Sequence, residues 1–386
     1  MAPRFRADQV GSLLRPQELK NAFRDASQKK ISDAALSEIK DRCIRDAIKM
    51  QEDAGLKSIT DGEFRRGSWF FGFVQAVEGL TVKDSIFDFR DDHGGHATFQ
   101  SAYVEGKLKR TQGITTDEFQ FVRHNTRHTP KVTMPTPSLV HFFRLDQAAD
   151  PKVYPRMEDF WTDLIAVYRA ELVALGALGC STVQLDEVPV AMLCDPKIRE
   201  QVKSKGADPD TLLRIYIDAI NQISATKPAG MTLAVHLCKG NYKGHWMAEG
   251  GYDAVAERLF NEADVDTFFL EYESPRAGGF EPLRHVPRNK NVVLGLVSSK
   301  TPDLEPLDAL LRRLDEAGKY ISLDQVGVSP QCGFASSVGG NPLSIDDERR
   351  KLSRVVELAN AVWGACGNSP PSELSGIKPG GLGRIQ

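Results

Sequence analysis

The sequence predicts an α/β fold, and within that class a (β/α)8 TIM barrel, from the order of its apolar segments. Eight short apolar runs, most of them separated by stretches with helical spacing, follow one another along the chain. The predicted strands cover residues 4–10, 57–60, 131–134, 182–185, 231–236, 267–270, 291–297 and 320–323. Polar or ionisable residues follow almost every run. Barrel enzymes carry their chemistry at these carboxyl ends of the strands.

The stretches between the strands have the signals of helices. In the first long one, 34–54, Ser32 stands at the capping position, apolar residues recur at helical spacing, and Gly55 ends the pattern. Further helices are predicted at 157–178, 209–225, 252–263, 303–317 and 344–363. A strand followed by a helix is the repeating unit of the predicted barrel.

Two segments depart from this alternation. Residues from about 82 to 130 are polar and alternate like hairpin strands, so we predict a hairpin-like insertion after the second strand. Residues 365–386 are rich in Gly and Pro and predict a mobile tail. Residues 1–364 would then form a single zinc-dependent TIM-barrel domain, once the metal assignment below is included.

Composition narrows the functional class. The net charge of −3, from 49 basic and 52 acidic residues, gives no electrostatic footprint for nucleic acid or for an anionic membrane. No apolar run approaches the ~20 residues that cross a bilayer, and the first residues lack a signal peptide's apolar core. Six cysteines are too few for a disulfide framework in 386 residues. We therefore expect a cytoplasmic protein that acts on small molecules; whether it forms a homo-oligomer is left open.

One imidazole, two thiols and a carboxylate stand where three of the later runs end. His236 and Cys238 are two residues apart and would share one face of a strand. Glu271 ends the sixth run and Cys332 follows the eighth. These are ligand types that Zn²⁺ prefers, so together they predict a zinc site. Glu273 would share the face of Glu271 and stays an alternative fourth ligand.

Carboxylates also follow two other strands. Asp186 and Glu187 come directly after the fourth run, and Asp61 and Glu63 follow the second. Such pairs serve as general acids and bases, but they also cap turns, and Asp-Gly is itself a common turn sequence. Both interpretations stay open for both pairs. The arginines at 65 and 66 are expected to balance the charge of Glu63.

Six motifs resemble the cobalamin-independent methionine synthase family, and especially its short single-barrel members, which include epoxyalkane:coenzyme M transferase. They are Val10-Gly11-Ser12, Asp61-Gly62-Glu63-Phe64, Gln184-Leu185-Asp186-Glu187, His236-Leu237-Cys238, Leu270-Glu271-Tyr272 and Pro330-Gln331-Cys332-Gly333. The resemblance implies a TIM barrel that holds Zn²⁺ through the set His236, Cys238, Glu271 and Cys332. It also implies that Ser12, Glu63 and Asp186 stand where the full-length synthases bind the amino acid group of homocysteine.

Two departures from that family matter. Near the end of the seventh strand the synthases carry a histidine, whereas this chain has Lys300, and 386 residues leave no room for their second, N-terminal barrel. Both count against methyl transfer from a polyglutamylated folate. Lys300 would instead hold an anionic group or stabilise an alkoxide, unless it only pairs with a neighbour such as Asp303.

The predicted function is that of a zinc-dependent thiol alkyl- or methyltransferase. A homocysteine-like thiol, bound to zinc as the thiolate, would attack an electrophilic carbon of an alkyl donor, with Lys300 and Asp186 as the catalytic residues. The alternatives are a methyltetrahydrofolate–homocysteine methyltransferase, an enzyme like uroporphyrinogen decarboxylase, and a non-catalytic barrel subunit.

Overall fold

The computed structural model describes residues 2–90 and 96–364, and this part of the chain contains ten strands. They are β1 (Ser58–Ile59), β2 (Val77–Arg90), β3 (His96–Arg110), β4 (Thr129–Pro130), β5 (Val132–Pro135), β6 (Thr182–Glu187), β7 (Thr232–Leu237), β8 (Thr267–Glu271), β9 (Asn291–Val297) and β10 (Val326–Pro330). Six of them form a continuous parallel sheet in the order β10-β9-β8-β7-β6-β5. Strands adjacent in the chain are thus adjacent in the sheet, as in a barrel.

Two N-terminal segments close the sheet into a barrel. Ala7 pairs in parallel with Val328 of β10. On the other side β1 pairs in parallel with β4, which leads directly into β5. The Leu13 N–H donates to the Gly62 carbonyl at 3.1 Å and joins the two segments to each other. The chain therefore completes eight barrel positions, which confirms the predicted (β/α)8 class.

Helices lie between the strands of the barrel, mostly at the predicted places. They are α1 (Gln17–Ser27), α2 (Asp33–Asp53), α3 (Phe71–Ala76), α4 (Thr116–Asn125), α5 (Pro137–Phe142), α6 (Met157–Ala177), α7 (Pro189–Met192), α8 (Pro196–Ser204), α9 (Pro209–Ser224), α10 (Ala256–Glu262), α11 (Leu307–Ala317) and α12 (Ile345–Trp363). Ser32 caps α2 by accepting from the Ala35 N–H at 3.2 Å. Among the described residues, no helix has both the length and the apolar character needed to cross a membrane.

The eighth strand lies later in the chain than predicted. Residues Leu323–Gln325 form a short 3-10 turn capped by Ser322, and the strand is Val326–Pro330. A glycine and a proline within five residues hide this strand from a propensity argument. Gly327 is needed because a Cβ there would lie 2.9 Å from the Phe5 carbonyl oxygen, where the first barrel segment passes. Cys332 therefore follows its strand by two residues.

The insertion after the second barrel position is a hairpin, as predicted. It starts earlier than expected, because β2 and β3 pair antiparallel from Val77 onwards, and α4 follows before the barrel resumes. Phe87 stacks on Phe142 of α5 with ring centroids 5.2 Å apart, so the hairpin packs on the barrel. The predicted tail, 365–386, lies outside the described residues.

Candidate metal and substrate site

Three of the four predicted metal ligands come together at the carboxyl end of the sheet. His236 lies near the end of β7, Cys238 directly follows that strand, and Cys332 follows β10. One ligand atom from each lies within 4.8 Å of the other two, and the two sulfur atoms are 3.5 Å apart. All three side chains are buried.

The environment of these residues fits a metal. Apart from a contact with the Cys332 thiol, neither ring nitrogen of His236 has a hydrogen-bond partner in the described part of the chain, although the residue is only 2% exposed. A buried polar atom left in that state costs about 1–3 kcal/mol. The hydrogen bond between the two thiols lowers the pKa of Cys332 and raises the pKa of Cys238. One imidazole and two thiols are a donor set that suits zinc.

Glu271 lies outside this group of three. Its Oε1 accepts from the Lys239 backbone N–H at 2.6 Å and its Oε2 accepts from Gln331 Nε2 at 3.2 Å. The alternative ligand Glu273 is held in an ion pair with Arg276 at 2.6 Å. Glu271 as the fourth ligand stays a prediction. Burial raises the pKa of Glu271, Lys300 opposes this shift, and the charge of Cys332 adds to it.

Glu63 is presented by a strained turn. Its φ of 60° and the φ of 67° at Gly62 both lie in the left-handed region, which costs a non-glycine residue on the order of 1 kcal/mol. The Asp61 carboxylate stabilises the turn by accepting from the Glu63 N–H at 2.8 Å. Thr133 Oγ1 donates to Glu63 Oε1 at 2.8 Å, whereas Oε2 has no partner among the described residues. The turn therefore offers one free carboxylate oxygen.

Asp186 ends β6 on the same side of the barrel. Its Oδ1 accepts from Gln184 Nε2 at 2.8 Å. Burial and the nearby Glu63 carboxylate raise the pKa of Asp186 to about 7. Two buried carboxylates that disfavour each other's charge would be stabilised by a cation between them.

Ser12 lies against the metal-ligand segment. A Cβ at Gly333, the residue after Cys332, would lie 2.0 Å from Ser12 Oγ, so only glycine allows this approach. Gly11 is equally constrained, with a φ of 150° and an ideal Cβ only 2.7 Å from Thr133. The N-terminal segment that pairs with β10 at Ala7 thus brings Ser12 against Gly333, the residue after Cys332, and Gly11 beside the Glu63 turn.

The two arginines after Glu63 have other partners. Arg65 forms an ion pair with Asp41 at 2.6 Å, and Arg66 donates two hydrogen bonds to Glu118 at 2.5 and 3.1 Å. Arg66 also stands 3.7 Å from Glu63. The expectation that both arginines balance Glu63 is therefore wrong for Arg65 and right only in part for Arg66.

Lys300 follows β9 and is 7% exposed. Its Nζ donates to the Gly240 carbonyl at 3.1 Å. It forms no ion pair within 4.0 Å across the described chain, so the alternative of a pairing with Asp303 is wrong. A buried ammonium whose one hydrogen-bond partner is a neutral carbonyl keeps two donors for a bound anion.

Three residues that position the predicted side chains had no assigned role in the sequence. They are Thr133, which donates to Glu63, Gln184, which donates to Asp186, and Gln331, which donates to Glu271. Gln184 and Asp186 share a strand face, so their spacing contained this signal. Gln331 reaches Glu271 because residue 295 of β9 is glycine: a Cβ there would lie 2.5 Å from Gln331 Cα.

Fold and site together define the class: a TIM barrel with a buried His-Cys-Cys cluster at the carboxyl ends of its strands. The family model described as the cobalamin-independent synthase catalytic domain matches residues 5–360. The chain therefore belongs to the cobalamin-independent methionine synthase family, whose members are methyltransferases.

Individual relatives span nearly the same length. The uncharacterized protein YxjH of Bacillus subtilis is 37% identical over 93% of this chain and 95% of its own. Methionine synthase of Pyrococcus furiosus is 24% identical over 92% and 91%. The crystal structure of a putative vitamin-B12 independent methionine synthase from Listeria monocytogenes is 30% identical, with a TM-score of 0.72 over 94% of this chain and 99% of that one.

Proposed function

We propose that this protein is a zinc-dependent transferase that moves a methyl or other alkyl group to the thiol of a homocysteine-like amino acid. The observation that carries the proposal is the buried cluster of His236, Cys238 and Cys332, with Ser12 against Gly333, the residue after Cys332. The family membership and the name of the Pyrococcus relative support a thiol acceptor.

His236, Cys238 and Cys332 would hold the zinc, with Glu271 as the fourth ligand. Bound zinc supplies the deprotonation of a substrate thiol at neutral pH. The substrate sulfur then forms a bond to the donor carbon while the bond from that carbon to the leaving group breaks and the leaving group takes its electron pair. Lys300 would neutralise the charge that develops on the leaving group.

The remaining residues would bind the amino acid part of the acceptor. Glu63 and Asp186 would share its ammonium, and the Ser12 hydroxyl would donate to its carboxylate. We further propose a cytoplasmic location, because the five described cysteines are all free thiols and this chemistry needs reduced thiols. A folate-dependent methionine synthase is the second candidate, and family membership favours it over a decarboxylase, which needs no thiol cluster.

Thiol activation can be tested without knowing the natural donor. We expect stoichiometric zinc-loaded protein to accelerate methylation of homocysteine by methyl iodide at pH 6 by roughly tenfold or more, because only about 0.3% of a thiol with a pKa near 8.5 is thiolate at that pH. Methionine formed in a single turnover is measured by chromatography. Homocysteine that binds but reacts no faster than the free thiol would refute the proposal.

The two carboxylates proposed to bind the ammonium, Glu63 and Asp186, are called the amino acid clamp here, and they predict a preference among thiols. Homocysteine should bind at least about tenfold more tightly than 4-mercaptobutanoate, which lacks only the ammonium, because a hydrogen bond to a charged group contributes about 1.5–3 kcal/mol. The substitution Glu63→Gln should remove most of this preference, whereas Glu273→Gln, outside the clamp, should keep it. Isothermal calorimetry measures both affinities. Equal affinities in the wild type would assign Glu63 and Asp186 to another ligand.

A further inference from the structure

A lysine is buried inside the barrel below the proposed substrate site. Lys131 lies between β4 and β5, and its side chain is 0% exposed. Its Nζ contacts Asp8 Oδ1 at 2.9 Å and Gln184 Oε1 at 3.3 Å, and it lies 4.7 Å from the centre of the Phe269 ring. Lys131 also donates to the Gln9 carbonyl. The ion pair with Asp8 neutralises the charge of the Lys131 ammonium. The contact with Gln184 is therefore not needed to balance that charge.

The hydrogen-bond partners of its nitrogen and of its oxygen fix the orientation of the Gln184 amide. Its Nε2 donates to the Val10 carbonyl at 2.6 Å and to Asp186 Oδ1 at 2.8 Å. Both of these partners are acceptors, whereas Lys131 on the other side is only a donor. The amide therefore has one orientation that satisfies all three neighbours. A flipped amide would set its oxygen against a carboxylate and its nitrogen against an ammonium.

The consequence reaches the Asp186 carboxylate. Its Oδ1 is held by the Gln184 amide, and its Oδ2 accepts no hydrogen bond from the described residues. We propose that Lys131 is a positioning residue that, through Gln184, fixes the Asp186 carboxylate with one oxygen free for the ammonium of the acceptor amino acid. This role rests on the proposed function, since it presupposes that Asp186 binds an ammonium.

Without Lys131 the Gln184 oxygen loses its hydrogen-bond donor. The amide is then held only through its nitrogen, by the Val10 carbonyl and the Asp186 carboxylate, so the carboxylate is fixed less firmly. We expect Lys131→Met to lower the preference for homocysteine over 4-mercaptobutanoate roughly tenfold, the scale of one charged hydrogen bond. Gln184→Met should do the same. Because both residues act through one chain of contacts, the double variant should lose no more than either single variant. Calorimetry with the two thiols on zinc-loaded protein measures this.

Lys290 provides a matched control. It too is a buried lysine beside a phenylalanine, 5.9 Å from the Phe268 ring, and its Nζ donates to the Phe260 carbonyl at 2.7 Å. Lys290→Met should lower stability as Lys131→Met does, yet keep the thiol preference. A change in preference in the Lys290 variant would show that the effect is only structural.

The results of these measurements distinguish the positioning role of Lys131 from the binding of the ammonium by Glu63 and Asp186. A wild type without preference for the ammonium would overturn both. A wild type with the preference, retained in Lys131→Met, would overturn only the positioning role, whatever Gln184→Met shows. If Lys131→Met does not fold, Gln184→Met still tests the chain of contacts, since it leaves the ion pair between Lys131 and Asp8 intact, and a retained preference in that variant would overturn the positioning role.

Discussion

Substituting Cys238 by serine is expected to strip the protein of its zinc and to lower thiol alkylation by at least about a hundredfold. The loss should exceed the 10- to 100-fold that removal of an outer-shell partner typically costs, because a ligand itself is removed. Cys238 and Cys332 are the two thiols of the buried cluster, and a serine hydroxyl is a far poorer zinc ligand than a thiolate. Elemental analysis of dialysed protein should give about one zinc per wild-type chain and much less in the variant.

A cysteine elsewhere in the fold provides the control. Cys180 is as buried as Cys238, but it lies before β6 at the opposite end of a barrel strand. Cys180→Ser should therefore keep its zinc. The same assay decides the fourth ligand: Glu271→Ala should lose metal affinity, and Glu273→Ala should not. Equal zinc in the wild type and Cys238→Ser would remove the site as proposed.

The elements that sequence predicted well are those defined by local chemistry. The helix predicted at 34–54 is observed at Asp33–Asp53, because Ser32 caps it and its apolar face is periodic. His236 and Cys238 meet because side chains alternate along a strand, which needs no knowledge of the rest of the fold. The position of the eighth strand was predicted wrongly for the opposite reason. Its identity comes from pairing with β9 and with Ala7, which are long-range contacts.

The residues that hydrogen-bond the predicted site residues were harder to identify from the sequence. Lys131 belonged to a predicted strand, and nothing local indicated that its ammonium lies inside the barrel beside Asp8. The hydrogen bonds that hold Glu271 come from Lys239 and Gln331, which lie 32 and 60 residues away in the chain. Which partner satisfies a buried polar group depends on how distant segments pack, and composition and periodicity do not contain that information.

A methylated folate is not expected to be the preferred donor, and Lys300 is the reason. Methyl transfer from a tertiary amine of that kind requires the leaving nitrogen to be protonated. An imidazole, with a pKa near 6.5, gives up and regains a proton near neutral pH, whereas an alkylammonium ordinarily keeps its proton. Lys300 donates to the Gly240 carbonyl and has no carboxylate within ion-pair distance in the described chain, so it suits an anionic donor or leaving group better.

We therefore expect methionine formation from homocysteine and methyltetrahydrofolate, as monoglutamate or triglutamate, to be at least about a hundredfold slower than the ~1 s⁻¹ that marks ordinary enzymatic turnover. Lys300→His should raise this rate, since it restores a group that can deliver the proton. Lys243→His, an exchange in an exposed loop residue, is the control and should leave the rate low. Wild-type turnover at 1 s⁻¹ or faster with either folate would contradict the claim and make the protein a folate-dependent methionine synthase.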